Sequence, residues 1–116
     1  MQDVKELSVW QKSVALSKEV YAVTRRFPSS EAHGLASQMQ RASVSVPSNI
    51  AEGRGRGTRK DYRQFVIRAR GSATELETQL VLASELGFVE RPTADDLLGK
   101  TREILRMLNG LIRSLS

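Results

Sequence analysis

The sequence predicts an all-α fold, an up-down four-helix bundle formed by one domain over residues 1–116. Apolar residues recur at three- and four-residue spacing in four long stretches, which is the period of one face of an α-helix. Neither the alternating pattern of a β-strand nor a hairpin-turn signal occurs in the sequence. A chain of 116 residues, 40% of them apolar, is long enough for one hydrophobic core and too short for two ordinary domains.

The first helix is predicted over about 8–27. Its apolar positions follow helical spacing and include Leu7, Trp10, Val14, Leu16, Val20 and Tyr21. Ser8 with Gln11 forms the capping box that we favour as its start, although Asp3 with Glu6 forms a competing one. Pro28 ends the helix because the residue before a proline is displaced from the α conformation.

The second helix is predicted over about 30–53, with Ser29 or Ser30 as its cap. Small residues flank its apolar stripe, so a neighbouring helix can approach closely. Pro47 lies inside it, where a proline removes one backbone hydrogen bond, clashes with a carbonyl and costs about 3 kcal/mol. We therefore expect the helix to be kinked at Pro47 or broken there into two segments. Gly53 suits the left-handed conformation that closes a helix.

The third helix is predicted over about 59–87, after a loop formed by residues 54–57. Thr58 with Asp61 forms a capping box at its start. The run Leu86-Gly87-Phe88 is typical of a Schellman stop at its end. A helix of this length spans roughly 43 Å and therefore predicts an elongated bundle.

The fourth helix is predicted over about 93–114. Pro92 precedes a capping box of Thr93 and Asp96, and acidic residues lie in the first turn, where the helix dipole favours them. The apolar seam that follows is typical of helices that pack at shallow angles; it includes Leu97, Ile104, Leu108 and Leu111.

The residues offer little support for catalysis, and we expect no enzyme activity, metal or cofactor. The chain has no cysteine and one histidine, His33, so cysteine nucleophiles and histidine pairs are excluded. Glu75 and Glu77 are two residues apart and face different directions on a helix. Glycines at 53, 55 and 57 lack the preceding strand and the Gly-Lys-Ser/Thr ending of a phosphate loop.

The sequence favours a cytoplasmic protein. No apolar run approaches the roughly 20 residues of a membrane span. The first residues lack the basic start and apolar middle of a signal peptide.

Basic residues concentrate between Arg54 and Arg70, where seven bases accompany one acid, whereas Gly71 to Glu90 hold four glutamates and no base. Arg59 and Lys60 fall in the first turn of the third helix, where the dipole disfavours cations. Two interpretations remain open. In one, Glu52 and Asp61 neutralise the bases across the turn. In the other, an edge of the protein binds RNA phosphates, with a mobile Arg-Gly loop and with Tyr62 available to stack on bases; its residues are Arg54, Arg56, Arg59, Lys60 and Arg63.

Two polar residues near the end of the second helix are given structural roles. Asn49 lies beside the inward stripe and is interpreted as a buried hydrogen-bond anchor. Glu52 is an acid in a last helical turn, so we expect a base nearby to neutralise it, such as Arg41, Arg54 or Arg70.

The chain resembles the bacterial four-helix bundle proteins named after open reading frames in 23S rRNA intervening sequences. The matching stretches are Leu7 to Lys12, Arg41 to Gly53, Ala69 to Ser72, Glu75 to Leu80 and Leu86 to Phe88, and the run Pro-Ser-Asn-Ile-Ala-Glu-Gly is the most specific of them. The motif positions are Pro47, Asn49, Glu52, Gly53, Arg70, Gly71 and Glu75.

The resemblance implies an up-down bundle that assembles as a ring-like homo-oligomer, a pentamer, without enzymatic activity. Relatives include accessory proteins of diversity-generating retroelements, which look like binders of nucleic acid and reverse transcriptase. The leading prediction is therefore a non-catalytic bundle that binds RNA or a ribonucleoprotein. The alternative is an oligomeric scaffold that docks a protein partner and has no nucleic-acid role.

Overall fold

The computed structural model describes residues 3–116, which form four long helices along one axis. These are α1 (Ser8–Thr24), α2 (Leu35–Gly55), α3 (Arg59–Glu85) and α4 (Arg91–Ser114). Short 3-10 turns at Val4–Glu6 and Ser29–Glu31 precede α1 and α2, and no strand occurs within the described range. The molecule measures 43 × 23 × 20 Å. The predicted all-α, elongated four-helix bundle is confirmed.

Each helix packs against its neighbours in the chain, and α1 also packs against α4, whereas the diagonal pairs do not meet. We call the end that holds the α2–α3 connection and the last turn of α4 the lower end, and the opposite end the upper end. Apolar side chains from all four helices fill the centre; the most deeply buried include Val20, Met39, Ile50, Val66, Leu76, Leu80, Leu97, Ile104 and Leu108.

Helix α2 passes through Pro47 without interruption, so the break that the proline allowed does not occur. Proline has no N–H, which leaves the carbonyl of Ser43 without its helical donor. The Ser17 hydroxyl on α1 donates to that carbonyl at 2.8 Å. Both serines are buried. The missing backbone hydrogen bond is thus replaced by a bond between helices; the kink itself stays a prediction.

Gly53 does not close α2, and that interpretation was wrong. The helix continues to Gly55, and the left-handed glycines are Gly57 (φ 89°) and Gly87 (φ 77°). Gly53 is buried, and a Cβ placed on it would lie 2.5 Å from the Phe65 Cβ of α3. Glycine is therefore needed here because the backbone of α2 approaches α3 closely.

Two other predicted helix starts are also displaced. Helix α2 begins at Leu35 and not near Ser30, and the Glu31 carboxylate accepts a hydrogen bond from the Leu35 amide at 3.2 Å. Helix α4 begins at Arg91, with Glu90 as its N-cap, so Thr93 is not the cap. Its second residue is a proline, which is tolerated because a backbone N–H in the first turn of a helix has no intrahelical acceptor.

The predicted signals at the two ends of α3 are confirmed. The Thr58 hydroxyl accepts a hydrogen bond from the Asp61 amide at 3.1 Å. At the other end, the Phe88 amide donates to Ala83 at 2.9 Å and the Gly87 amide to Ser84 at 3.0 Å. This pair of bonds is the Schellman pattern.

Candidate nucleic-acid interface

The five bases predicted to bind nucleic acid lie at the lower end, where α2 ends and α3 begins. The predicted loop over residues 54–57 is wrong, because Arg54 and Gly55 belong to α2. The connection consists of residues 56–58, and Thr58 already caps α3. The Arg54 side chain is therefore placed by the last turn of α2, and Arg56 follows that helix directly.

Arg59 and Arg63 contact the C-terminus of α4. Arg59 donates to the carbonyl of Ser114 at 2.7 Å, and Arg63 donates to the carbonyl of Ile112 at 3.3 Å. The last carbonyls of a helix lack intrahelical partners and form the negative end of its dipole. These bases thus stabilise the end of α4, which explains why Arg59 occupies a position that the dipole of α3 disfavours.

Arg54 and Arg56 cover aromatic side chains. The Arg56 guanidinium lies 4.8 Å from the centroid of the Phe65 ring and pairs with Glu52 at 3.1 Å. The Arg54 guanidinium lies 5.7 Å from the centroid of the Tyr62 ring. Glu52 is therefore neutralised by Arg56, the residue that follows α2, so the expected base lies nearby although it is not one of those named as examples. This pair also agrees with the interpretation in which Glu52 neutralises one of the bases of the turn.

Tyr62 is not available to stack on a nucleobase. Its side chain is buried, with 6% of its surface exposed, in the contact between α2 and α3. Its hydroxyl is buried and has no hydrogen-bond partner within residues 3–116. The interpretation of Tyr62 as a stacking residue was therefore wrong.

Exposed cations remain at the lower end beside these engaged side chains. Lys60 is exposed on the first turn of α3, and its ammonium has no hydrogen-bond or ion-pair partner within the described chain. Arg113 is exposed in the last turn of α4. Sequence reasoning missed Arg113. The up-down topology was the available signal, because it places the last turn of α4 beside the first turn of α3.

Two other polar motif residues, Asn49 and Arg70, make hydrogen bonds near the contacts between helices. Asn49 is half-buried and donates to the carbonyl and hydroxyl of Ser45 at 2.8 and 2.9 Å. Ser72 on α3 donates to the same Ser45 hydroxyl at 2.8 Å, which joins α2 to α3. Arg70 donates to the Asn109 side chain at 3.0 Å and joins α3 to α4. Asn49 is thus a hydrogen-bond anchor, although less buried than predicted.

Gly71 and Glu75 differ from the other motif residues because both are exposed on α3. A Cβ placed on Gly71 would have no heavy atom within 4 Å. No contact within residues 3–116 therefore accounts for a glycine at this position.

The described chain contains no metal-ligand cluster near the lower end or elsewhere. Residues 3–116 hold no group of three or more histidine, cysteine, aspartate or glutamate side chains arranged to bind a metal ion. His33 is exposed in the turn before α2. None of the helices over this range is both long and apolar enough to cross a bilayer.

A solved structure has a similar fold. It is the crystal structure of a protein of unknown function from the S23 ribosomal protein family of Bacteroides thetaiotaomicron. The TM-score is 0.84 at 21% sequence identity, over 90% of this chain and 97% of that chain. At this identity the similarity shows the fold alone.

Family assignment rests on the sequence match. None of the curated proteins compared with the chain is a significant match. The family model described as 23S rRNA-intervening sequence protein matches residues 5–110, which is most of the chain. The chain therefore belongs to the 23S rRNA-intervening sequence protein family.

Proposed function

We propose that the protein is a non-catalytic RNA-binding bundle that assembles as a ring-like homo-oligomer, a pentamer, and contacts RNA through the lower end of each copy. The observation that carries this proposal is the concentration of cations at that end. Bases from three helices meet there, namely Arg54, Arg56, Arg59, Lys60 and Arg113. Arg63, which is half-buried against α4, supports the site without facing it.

The cations that already bind protein atoms keep donors for phosphate. A guanidinium has five N–H donors, and Arg59 uses one of them on Ser114. The exposed Glu52–Arg56 pair is worth little in water and exchanges readily for a phosphate contact. Glu52 and Asp61 lie among these bases, and Asp3 and Glu6 precede α1 at the same end, so the bases remain in excess by a modest margin.

RNA recognition at this site is electrostatic in this proposal. Tyr62 and Phe65 are buried at the lower end and are not available to stack on bases. Affinity then depends on phosphate contacts and falls steeply with salt. A ring that presents several lower ends on one side raises the affinity through multivalency, which compensates for a weak single site.

A protein-interaction scaffold is the second candidate. Five large apolar side chains are exposed within the described range: Tyr21, Val44, Val81, Leu82 and Leu86. Exposed apolar side chains that form patches mark sites of protein contact. In this alternative the bases are solvated, the protein retains no RNA at physiological salt, and another protein co-purifies with the oligomer.

The test removes two cations that hold no other part of the chain. Lys60→Gln with Arg113→Gln lowers the charge of the lower end and leaves the arginine contacts to Ser114, Ile112 and Glu52 in place. Each lost phosphate contact lowers the salt slope for single-stranded RNA by about 0.7, so the pair lowers it by up to about 1.4 per bound protomer. Fluorescence anisotropy with a labelled single-stranded RNA of mixed sequence, between 50 and 200 mM salt, measures both affinity and slope.

The control changes the net charge equally at the upper end. Arg26 and Arg91 are exposed there, so Arg26→Gln with Arg91→Gln removes the same charge far from the proposed site. We expect this variant to bind RNA like the wild type. Equal weakening by both pairs, or no RNA binding by the wild type at low salt, contradicts the proposal.

A further inference from the structure

The exposed apolar side chains fall on two opposite sides of the bundle. Tyr21 and Val44 line a groove between α1 and α2, together with Val14 and Pro47; we call this the α1–α2 face. Val81 and Leu82 lie on α3 beside α4, with Leu86 just above them; we call this the α3–α4 face. Because neither α1 and α3 nor α2 and α4 are in contact, the two faces point away from each other.

The two faces carry opposite charge. Lys18 and Arg25 border the α1–α2 face, and neither has an ion-pair partner within residues 3–116. Two acids and one base, Glu77, Glu85 and Arg102, border the α3–α4 face, which leaves it with a net negative charge. Glu77 pairs with Arg102 at 2.9 Å, whereas Glu85 has no ion-pair partner in the described part of the chain. An apolar patch edged by cations thus has a counterpart on the same molecule whose edge is net negative, with Glu85 as its unpaired acid.

The charges also match in height along the bundle. Lys18 and Arg25 are seven residues apart, about 10.5 Å along a helix, and Glu77 and Glu85 are eight apart, about 12 Å. Arg25 caps the C-terminus of α1, and Glu85 is the last residue of α3, so both lie at the upper end. A second copy placed alongside in the same orientation therefore brings Arg25 opposite Glu85 and Lys18 near Glu77.

We infer that the α1–α2 face of one copy docks on the α3–α4 face of the next copy, with Tyr21 and Val44 against Val81 and Leu82. Such a contact joins two different surfaces, so each copy retains one unpaired face until a ring closes. This inference rests on the ring assembly proposed above and identifies its interface. All copies keep the same orientation, which places every lower end on one side of the ring.

Charge reversal with rescue tests the inference in the full-length protein. Arg25→Glu or Glu85→Arg alone puts like charges opposite each other at every interface and is expected to shift the oligomer to smaller species. A chain that carries both changes restores opposite charges at every interface and is expected to recover the wild-type mass. Light scattering coupled to size-exclusion chromatography measures the mass, and circular dichroism checks that each variant stays helical.

An apolar test and a control accompany the reversal. Leu82→Asp places a charge in the proposed contact and is expected to release smaller species, whereas Arg106→Glu, on the outer side of α4, is expected to leave the mass unchanged. If the wild type is an oligomer and the Leu82→Asp, Arg25→Glu and Glu85→Arg variants keep its mass, the proposed interface is wrong although the proposed assembly stands. A wild type that is monomeric in solution overturns both, and RNA binding by that monomer is then measured separately.

Discussion

The glycine at position 53 gives the sharpest prediction about the architecture. In Gly53→Ala, the new methyl carbon falls 2.5 Å from the Phe65 Cβ and 3.2 Å from the Tyr62 carbonyl oxygen. Neither atom can rotate away, since one is the first atom of a side chain and the other is backbone. Helices α2 and α3 must therefore separate by about 1 Å to restore ordinary contact distances, which loosens the core around them.

Two opposing effects determine the size of the change. Overpacking of this kind costs about 1–3 kcal/mol, and the rigid neighbours place Gly53→Ala near the upper value. Replacing a glycine inside a helix by alanine gains up to about 1 kcal/mol in helix propensity. The expected net loss is about 2 kcal/mol in the free energy of unfolding. For a domain of this size, that corresponds to a fall of roughly 8 °C in Tm.

Gly99→Ala is the matched control. Gly99 lies inside α4, and a Cβ placed there meets no heavy atom within 4 Å, so the propensity gain is unopposed. We expect Gly99→Ala to raise the free energy of unfolding by about 0.5–1 kcal/mol. Thermal unfolding followed by circular dichroism, at one protomer concentration because assembly adds to stability, compares the two variants. A Gly53→Ala variant as stable as the wild type would refute the close-approach explanation.

Two further predictions concern the bonds between helices. Ser17→Ala leaves the buried Ser43 carbonyl without a donor and is expected to lower the free energy of unfolding, measured in urea, by about 1–2 kcal/mol. The loss should be smaller in a Pro47→Ala background, because alanine restores a backbone N–H that can donate to this carbonyl. Equal losses in both backgrounds would show that the Ser17 hydroxyl does not replace the missing backbone donor. Hydrogen bonds that Lys100 donates to Glu19 and Asp96 raise the pKa of its ammonium above the ordinary 10.5. The contribution of the lysine is therefore fully present below pH 10.5 and lost as the pH rises through the raised pKa. The stability difference between wild type and Lys100→Gln should stay constant from neutral pH to about pH 10.5, where the carboxylates are ionised, and should shrink above it.

The four helices could be predicted because their signals are local. Apolar spacing marks each buried face, and the Thr58 cap and the Gly87 stop depend on residues within one turn of each end. The start of α2 was harder to predict from the sequence. Ser29 is a good capping residue, yet residues 29–31 form a separate 3-10 turn and the helix begins only at Leu35. Local propensity does not decide between two such neighbouring starts.

The roles of Gly53, Arg59 and Arg63 could not be predicted, because their partners are distant in sequence. The need for glycine at position 53 becomes clear only when α2 and α3 are packed together and Phe65 lies against it. The carbonyls that accept from Arg59 and Arg63 lie 55 and 49 residues away along the chain. The sequence therefore suggested local explanations, a helix stop for Gly53 and phosphate binding for Arg59. In the structure the reasons are contacts between helices: Gly53 allows α3 to approach, and Arg59 binds the end of α4.

The bases at the lower end consequently fall into two kinds, which changes how the site must be tested. Arg59 holds the end of α4 and Arg56 covers Phe65, so their removal alters stability as well as charge. Loss of RNA binding after such changes would not separate a lost phosphate contact from a displaced helix. Lys60 and Arg113 contribute charge without these contacts. Their substitution therefore tests binding itself, and it is the comparison on which the proposed function depends.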